Sequence, residues 1–212
     1  EILRGVDLEL RAGEALGIVG ESGSGKTSLG RTLLRLYEPT TGRLTFAGQE
    51  ITHLDEAALR PLRARMQLVF QDPQSALNPR HRIRTALVQP FRAFRRPVDD
   101  ATLRRLLARV GLEDDLLGRF PHQLSGGQRQ RVGIARAIAL EPTLIVADEI
   151  TSGLDVSSKA QILALLRRLR SELGRALIFI SHDLGVVRAL CDRVAVMQSG
   201  AIVEPGACET VF

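Results

Sequence analysis

The chain has 212 residues, long enough for one large domain, or one domain with an insertion, around a sizeable buried core. Its 44% hydrophobic and 25% charged content matches ordinary globular proteins and excludes a disordered polypeptide. The net charge of +5 comes from arginines mixed with acids, as in Leu166-Arg167-Arg168-Leu169-Arg170-Ser171-Glu172, a solvated helix face. With only 4% aromatic residues to stack on bases, nucleic acid is not an expected partner.

The longest apolar runs, Leu144 to Ala147 and Ala176 to Ile180, are strand-length and far short of the roughly 20 residues a membrane span needs. The opening Glu1-Ile2-Leu3-Arg4 does not read as a signal peptide. The expectation is a soluble polypeptide whose membrane association goes through a partner. Cys191 and Cys208 are too few and too poorly spaced for a disulfide framework or a metal site, which favours a reducing cytoplasm.

In chain order, Val6 to Leu10 alternates apolar and polar residues and predicts a half-exposed antiparallel strand. Ala15 to Val19 is apolar throughout and predicts a strand buried on both faces. It runs into the glycine-rich stretch Gly20 to Gly25 and a helix over about Lys26 to Leu36. Further strands are expected at Met66 to Phe70, Thr143 to Ala147, Ala176 to Ile180 and Arg193 to Met197, with a helix over Ser157 to Leu173. Residues 72–139 lack a convincing strand and carry helical patterns such as Asp100 to Val110. The fold class is therefore α/β, with a mostly parallel sheet, an N-terminal antiparallel β portion, and an inserted helical subdomain over about 72–139. Residues 1–71 and 140–212 would form the core.

Gly20-Glu21-Ser22-Gly23-Ser24-Gly25-Lys26-Thr27 fits the phosphate-binding P-loop pattern, and Ser28 follows it inside the nucleotide-binding stretch. Successive backbone N–H groups and the start of a helix converge on an anion. Lys26 is expected to reach the β- and γ-phosphates of ATP, and the Thr27 hydroxyl to ligate Mg²⁺. Of the 29 lysines and arginines only two, Lys26 and Lys159, are lysines. A chain that otherwise uses arginine keeps a compact point charge where a phosphate cradle needs one.

Leu144-Ile145-Val146-Ala147-Asp148-Glu149 is an apolar strand that releases two acids at the end where open α/β sheets bind ligands. Asp148 suits the Mg²⁺ shell, and Glu149 suits a general base for the attacking water. Leu124-Ser125-Gly126-Gly127-Gln128 offers a hydroxyl, open backbone N–H groups and a helix start, a second phosphate-binding device in one chain. Read alone, it could equally be a flexible loop.

Together these motifs resemble those of ABC ATPases, and the resemblance covers nearly the whole chain. It implies a P-loop NTPase (RecA-like) core in which Ser125, Gly126, Gly127 and Gln128 form the signature that completes the ATP site of the opposite subunit. It further implies that Gln71 contacts Mg²⁺ and the attacking water, that Ser152-Gly153-Leu154-Asp155 forms the D-loop along a dimer interface, and that His182 contacts the γ-phosphate. Two residues depart from the family pattern: Ile150 stands where proline is usual, and Gly153 where alanine is usual. Both leave the backbone less restricted and imply altered positioning. The aromatic residue that stacks on adenine in the family normally lies just upstream of the first residue here, and Tyr37, after the P-loop, is in the wrong place for it.

Phe70-Gln71-Asp72-Pro73-Gln74-Ser75-Ala76-Leu77-Asn78-Pro79-Arg80 and the stretch from Phe120 to Ala137 are similar to bacterial dipeptide, oligopeptide and nickel importer ATPases. That resemblance implies a head-to-tail partner cassette, transmembrane permease subunits, an extracytoplasmic solute-binding protein, and a place on the cytoplasmic side of the inner membrane. A soluble ABC ATPase acting on ribosomes or nucleic acid is the alternative. A P-loop kinase is disfavoured by the signature and by the lack of a substrate lid.

Overall fold

A strand that is apolar at every position must be covered on both faces, and β1 (Ala15–Gly20) meets that demand at the centre of the sheet. The computed structural model describes residues 2–72 and 76–212; Glu1 and the stretch Pro73-Gln74-Ser75 of the segment after Gln71 lie outside the described residues. β1 pairs in parallel with β6 (Ala176–Ile180) on one side and β7 (Arg193–Gln198) on the other. Beyond β6 come β5 (Leu144–Asp148) and β4 (Met66–Val69), also parallel. The sheet order is β4-β5-β6-β1-β7-β8, closed at one edge by the antiparallel β8 (Ala201–Ala207). Five parallel strands therefore end on the same side of the molecule.

Helices cover both faces. On one, α1 (Lys26–Leu33) and α2 (Glu56–Arg63) supply Leu29, Leu59 and Leu62 to a core with Ile18, Val146 and Ile178. On the other, α3 (Ile83–Ala93), α4 (Asp100–Arg109), α5 (Gly126–Ile138), α6 (Val156–Leu173) and α7 (Leu184–Leu190) pack with Val69, Ala147 and Phe179. The short α8 (Cys208–Val211) follows β8. Asp55, Asp99, Ser125, Asp155 and Asp183 cap their helices by accepting the backbone N–H three residues on. Between β4 and β5 every described element is helical. Among the described residues no helix is long and apolar enough to cross a membrane.

Three local expectations change. Val6, Leu8 and Leu10 are partly covered while Asp7 and Glu9 are exposed, so the alternation is present, but no strand ladder forms there. Val6 and Leu10 pack on the core by their side chains alone, and one backbone bond nearby, Arg4 N–H to Gly200 O at 2.8 Å, fixes the segment's start. The antiparallel β portion is instead the pair β2 (Thr45–Phe46) and β3 (Gln49–Glu50). The helix after the P-loop stops at Leu33, and the strand before Gln71 at Val69. β8 was not anticipated; its signal is the dipeptide Ser199-Gly200, a two-residue turn with both φ values positive (48° and 86°) joining Gln198 to Ala201.

Cys191 and Cys208 are free and buried. Cys191 ends α7 against β1, where its Sγ would lie 3.4 Å from a Cβ placed on Gly17. Burial pushes its thiol well above the ordinary range.

Phe179 is fully buried in the middle of β6. Phe179→Ala is expected to lower the unfolding free energy by about 3–5 kcal/mol. Equilibrium urea denaturation checks it, with a loss below about 1 kcal/mol meaning that the core collapses into the cavity.

Candidate nucleotide site

Four strand ends supply the site. β1 opens into the turn from Gly20 to Gly25, where Gly20 has φ 149° and Gly25 φ 101°. A Cβ on Gly20 would stand 2.2 Å from the Met197 carbonyl oxygen of the neighbouring strand, so only glycine lets β1 and β7 stay paired at this point. Gly25 is the N-cap of α1 and brings no side chain to cap it, which leaves the first N–H groups of that helix open to an anion. Ser24 is buried, and its Oγ has no hydrogen-bond partner among the described residues. Lys26 is 5% exposed and donates from Nζ to the carbonyls of Gly20 at 2.8 Å and Glu21 at 2.7 Å. Glu21, Ser22 and Gly23 are exposed on the rim, and Ser28 continues the helix.

Thr27 donates its hydroxyl to Asp148 Oδ1 at 3.1 Å, joining the first turn of α1 to the end of β5. Asp148 is 4% exposed; burial raises its carboxyl above the ordinary range, the Thr27 hydroxyl opposes that, and the Glu149 charge adds to it. Glu149 follows in a left-handed conformation, φ 47°, with its N–H bonded to Ile180 O at 2.9 Å. Gln71, just past β4, donates from Nε2 to Glu149 Oε2 at 2.9 Å. His182, just past β6, places Nδ1 3.7 Å from Glu149 Oε1, with the imidazole 64% exposed and the glutamate 20% exposed. Gln71, Glu149 and His182, far apart in sequence, thus meet beside the Thr27–Asp148 pair.

Ser125, Gly126, Gly127 and Gln128 stand elsewhere. Ser125 Oγ accepts the Gln128 N–H at 3.2 Å, and Gln128 Oε1 accepts the Ser125 N–H at 2.9 Å, a reciprocal cap on α5. Gly126 and Gly127 face Leu154 and Ser158 at the start of α6. Among the described residues no hydrogen bond or ion pair joins this group to the P-loop of the same chain. Asp155 caps α6, accepting the Ser158 N–H at 2.9 Å and the Ser158 hydroxyl at 2.6 Å. Sequence reasoning missed Lys159 and Asp183, whose side chains pair one turn into α6. The signal was present, since Lys159 is the second of only two lysines.

The pattern that defines the ABC transporter family matches residues 3–152. The chain belongs to that family. It is 50% identical over 204 residues to the oligopeptide transport ATP-binding protein AppF of Bacillus subtilis, covering 94% of this chain and 62% of AppF. It is 48% identical over 210 residues to the glutathione import ATP-binding protein GsiA of Salmonella paratyphi A, covering 98% of this chain and 34% of GsiA. The chain therefore spans less than two thirds of either relative. Among solved structures, the dimeric post-hydrolysis state of the ATP-binding cassette MJ0796 bound to ADP and Pi superposes with a TM-score of 0.88 at 30% identity, over 98% of this chain and 90% of that one. CbiO1 from Clostridium perfringens, part of the ABC transporter complex cbiONQ, gives 0.89 at 31% identity, over 100% and 84%. The mostly parallel sheet with flanking helices is thus the ABC ATPase cassette fold, and ATP is the family's ligand.

Gly20→Ala is expected to force the P-loop strand from its neighbour at a cost of about 1–3 kcal/mol and to weaken ATP binding together with thermal stability. Calorimetric melting and nucleotide titration of the same variant check it. Unchanged values for both would mean that β1 and β7 separate freely.

Proposed function

We propose that the chain is an ATP-hydrolysing subunit that powers transmembrane import of peptides. The observation that carries this reading is the meeting of Gln71, Glu149 and His182 at the carboxyl edge of the sheet, next to a phosphate cradle. Residues 72–139 would act as the helical signature subdomain between the two parts of the RecA-like core.

In this reading the N–H groups from Gly20 to Ser28 and the Lys26 ammonium bind the phosphates. Glu149 takes a proton from water as the water oxygen attacks the γ-phosphorus and the bond to the β-phosphate oxygen breaks, giving ADP and phosphate. The Gln71 amide orients Glu149 and the water, and His182 contacts the γ-phosphate. The donor set fits Mg²⁺: Thr27 and Asp148 place two hard oxygens 3.1 Å apart at the cradle's mouth, and Gln71 reaches the neighbouring Glu149. Thr27, Gln71 and Asp148 would hold the ion, which supplies charge neutralisation for the phosphates.

The self-capped signature, with Ser125 exposed and Gly126, Gly127 and Gln128 half-buried, suits a second cassette better than its own P-loop, which supports a head-to-tail dimer with Asp155 near its seam. Permease subunits and an extracytoplasmic solute-binding protein complete the proposed assembly, with this chain on the cytoplasmic side of the inner membrane. Transport and import proteins such as AppF and GsiA favour peptides over nickel, and transport over a ribosome- or nucleic-acid-acting ATPase.

Glu149→Gln is expected to keep ATP binding and to lose turnover by about 10²–10⁴-fold, while Lys26→Ala loses about 10–100-fold in ATP affinity, the worth of a charge-assisted hydrogen bond. Steady-state hydrolysis and equilibrium binding separate the two; a Glu149→Gln protein within a few-fold of wild type would remove the general-base assignment. Ser125→Arg is expected to stop hydrolysis while monomers still bind ATP, and specific activity should rise with protein concentration. A rate independent of concentration in a proven monomer would exclude the head-to-tail arrangement.

A further inference from the structure

The first turn of α6 is a junction. Its cap is Asp155, its Ser158 hydroxyl would lie 3.1 Å from a Cβ on Gly127 of the signature, and its Lys159 ammonium donates to Asp183 Oδ2. The other oxygen of Asp183 accepts the Val186 N–H at 3.1 Å and so caps α7, while the Asp183 N–H donates to Ser181 Oγ at 3.0 Å. Ser181 is buried and held by its N–H to Ile18 O at 3.1 Å. His182 therefore sits between two anchored neighbours, yet its own imidazole makes no hydrogen bond among the described residues.

The covalent path from Glu149 to α6 is anchored by the buried Ile150 and Thr151 and emerges to the surface at Ser152 and Gly153. Glu149 and Gly153 both have positive φ, 47° and 71°, and among the described residues nothing lies within 4 Å of a Cβ placed on Gly153. One turn bond, Ser152 N–H to Glu149 O at 3.0 Å, bridges the segment. Lys159 to Asp183 is a second link, running across space from α6 to the loop that carries His182.

We propose that the Lys159–Asp183 ion pair is a positioning contact for hydrolysis, holding the His182 loop against the first turn of α6 so that His182 stays beside Glu149. The proposal rests on the catalytic reading of Glu149 and His182 given above. An ammonium, as a compact point charge, pairs with one carboxylate oxygen and leaves the other to cap α7. The Lys159 hydrogen bond, more than any other contact, holds the Asp183 carboxyl below the ordinary range, which favours its ionised form. Lys159 is 29% exposed and Asp183 36% exposed, and a pair that open to solvent adds little to folding stability. Reaction rate is far more sensitive to placement, since a shift of about 1 Å can cost about a hundredfold.

The test measures ATP turnover, KM and melting temperature for Lys159→Gln, Lys159→Arg and His182→Ala in the otherwise unaltered chain. Lys159→Gln is expected to lower kcat about tenfold with KM within about twofold, and to move the melting temperature by less than about 2 °C. Lys159→Arg, which keeps the charge, should recover kcat to within about threefold of the unaltered chain. A Lys159→Gln protein with full kcat, beside an inactive His182→Ala protein, would overturn the positioning role alone. So would a kcat loss matched by a large fall in melting temperature and not rescued by arginine. Full turnover in His182→Ala would instead overturn the catalytic reading beneath it.

Discussion

The main-chain hydrogen bond from Glu149 N–H to the Ile180 carbonyl, 2.9 Å long, decides where two adjacent acids go. It carries the β5–β6 ladder one residue past Asp148, and at φ 47° the chain then leaves the strand. Neighbouring residues of an extended strand present their side chains to opposite faces. Here the left-handed residue re-aims the second acid, so Asp148 stays with Thr27 while Glu149 turns to Gln71 and His182. The parallel register of β4, β5, β6 and β1 brings those partners to the same edge.

The two acids are separated by burial as well as direction. Asp148 is nearly sealed from water and its ionised form is disfavoured by that burial, with the Thr27 hydroxyl offsetting part of the cost. Glu149 keeps a fifth of its side chain open to solvent. A buried acid beside a hydroxyl suits a fixed ionic ligand, and a reachable acid suits exchange of a proton with water.

Much of this was legible in the sequence because its signals are local. A run apolar at every position followed by glycines or acids marks a central strand and its functional end, and β1, β5 and β6 match that reading within a residue or two. The misses share a different cause. Val6 to Leu10 alternates as a strand would, but alternation reports a covered face and not a hydrogen-bonded neighbour. β8 is marked chiefly by the Ser199-Gly200 turn, because its half-exposed residues carry little apolar pattern. The pairing of Gln71 with Glu149, and of Lys159 with Asp183, depends on strand order, which no local pattern encodes.

The cysteine at the end of α7 turns packing into timing. Cys191 is wedged against β1 at Gly17, and burial holds its sulfur in the protonated, unreactive form. Opening that sulfur to water means parting α7 from β1. Alkylation of this one sulfur therefore proceeds no faster than that parting. The rate of its alkylation would report how often that helix and strand part.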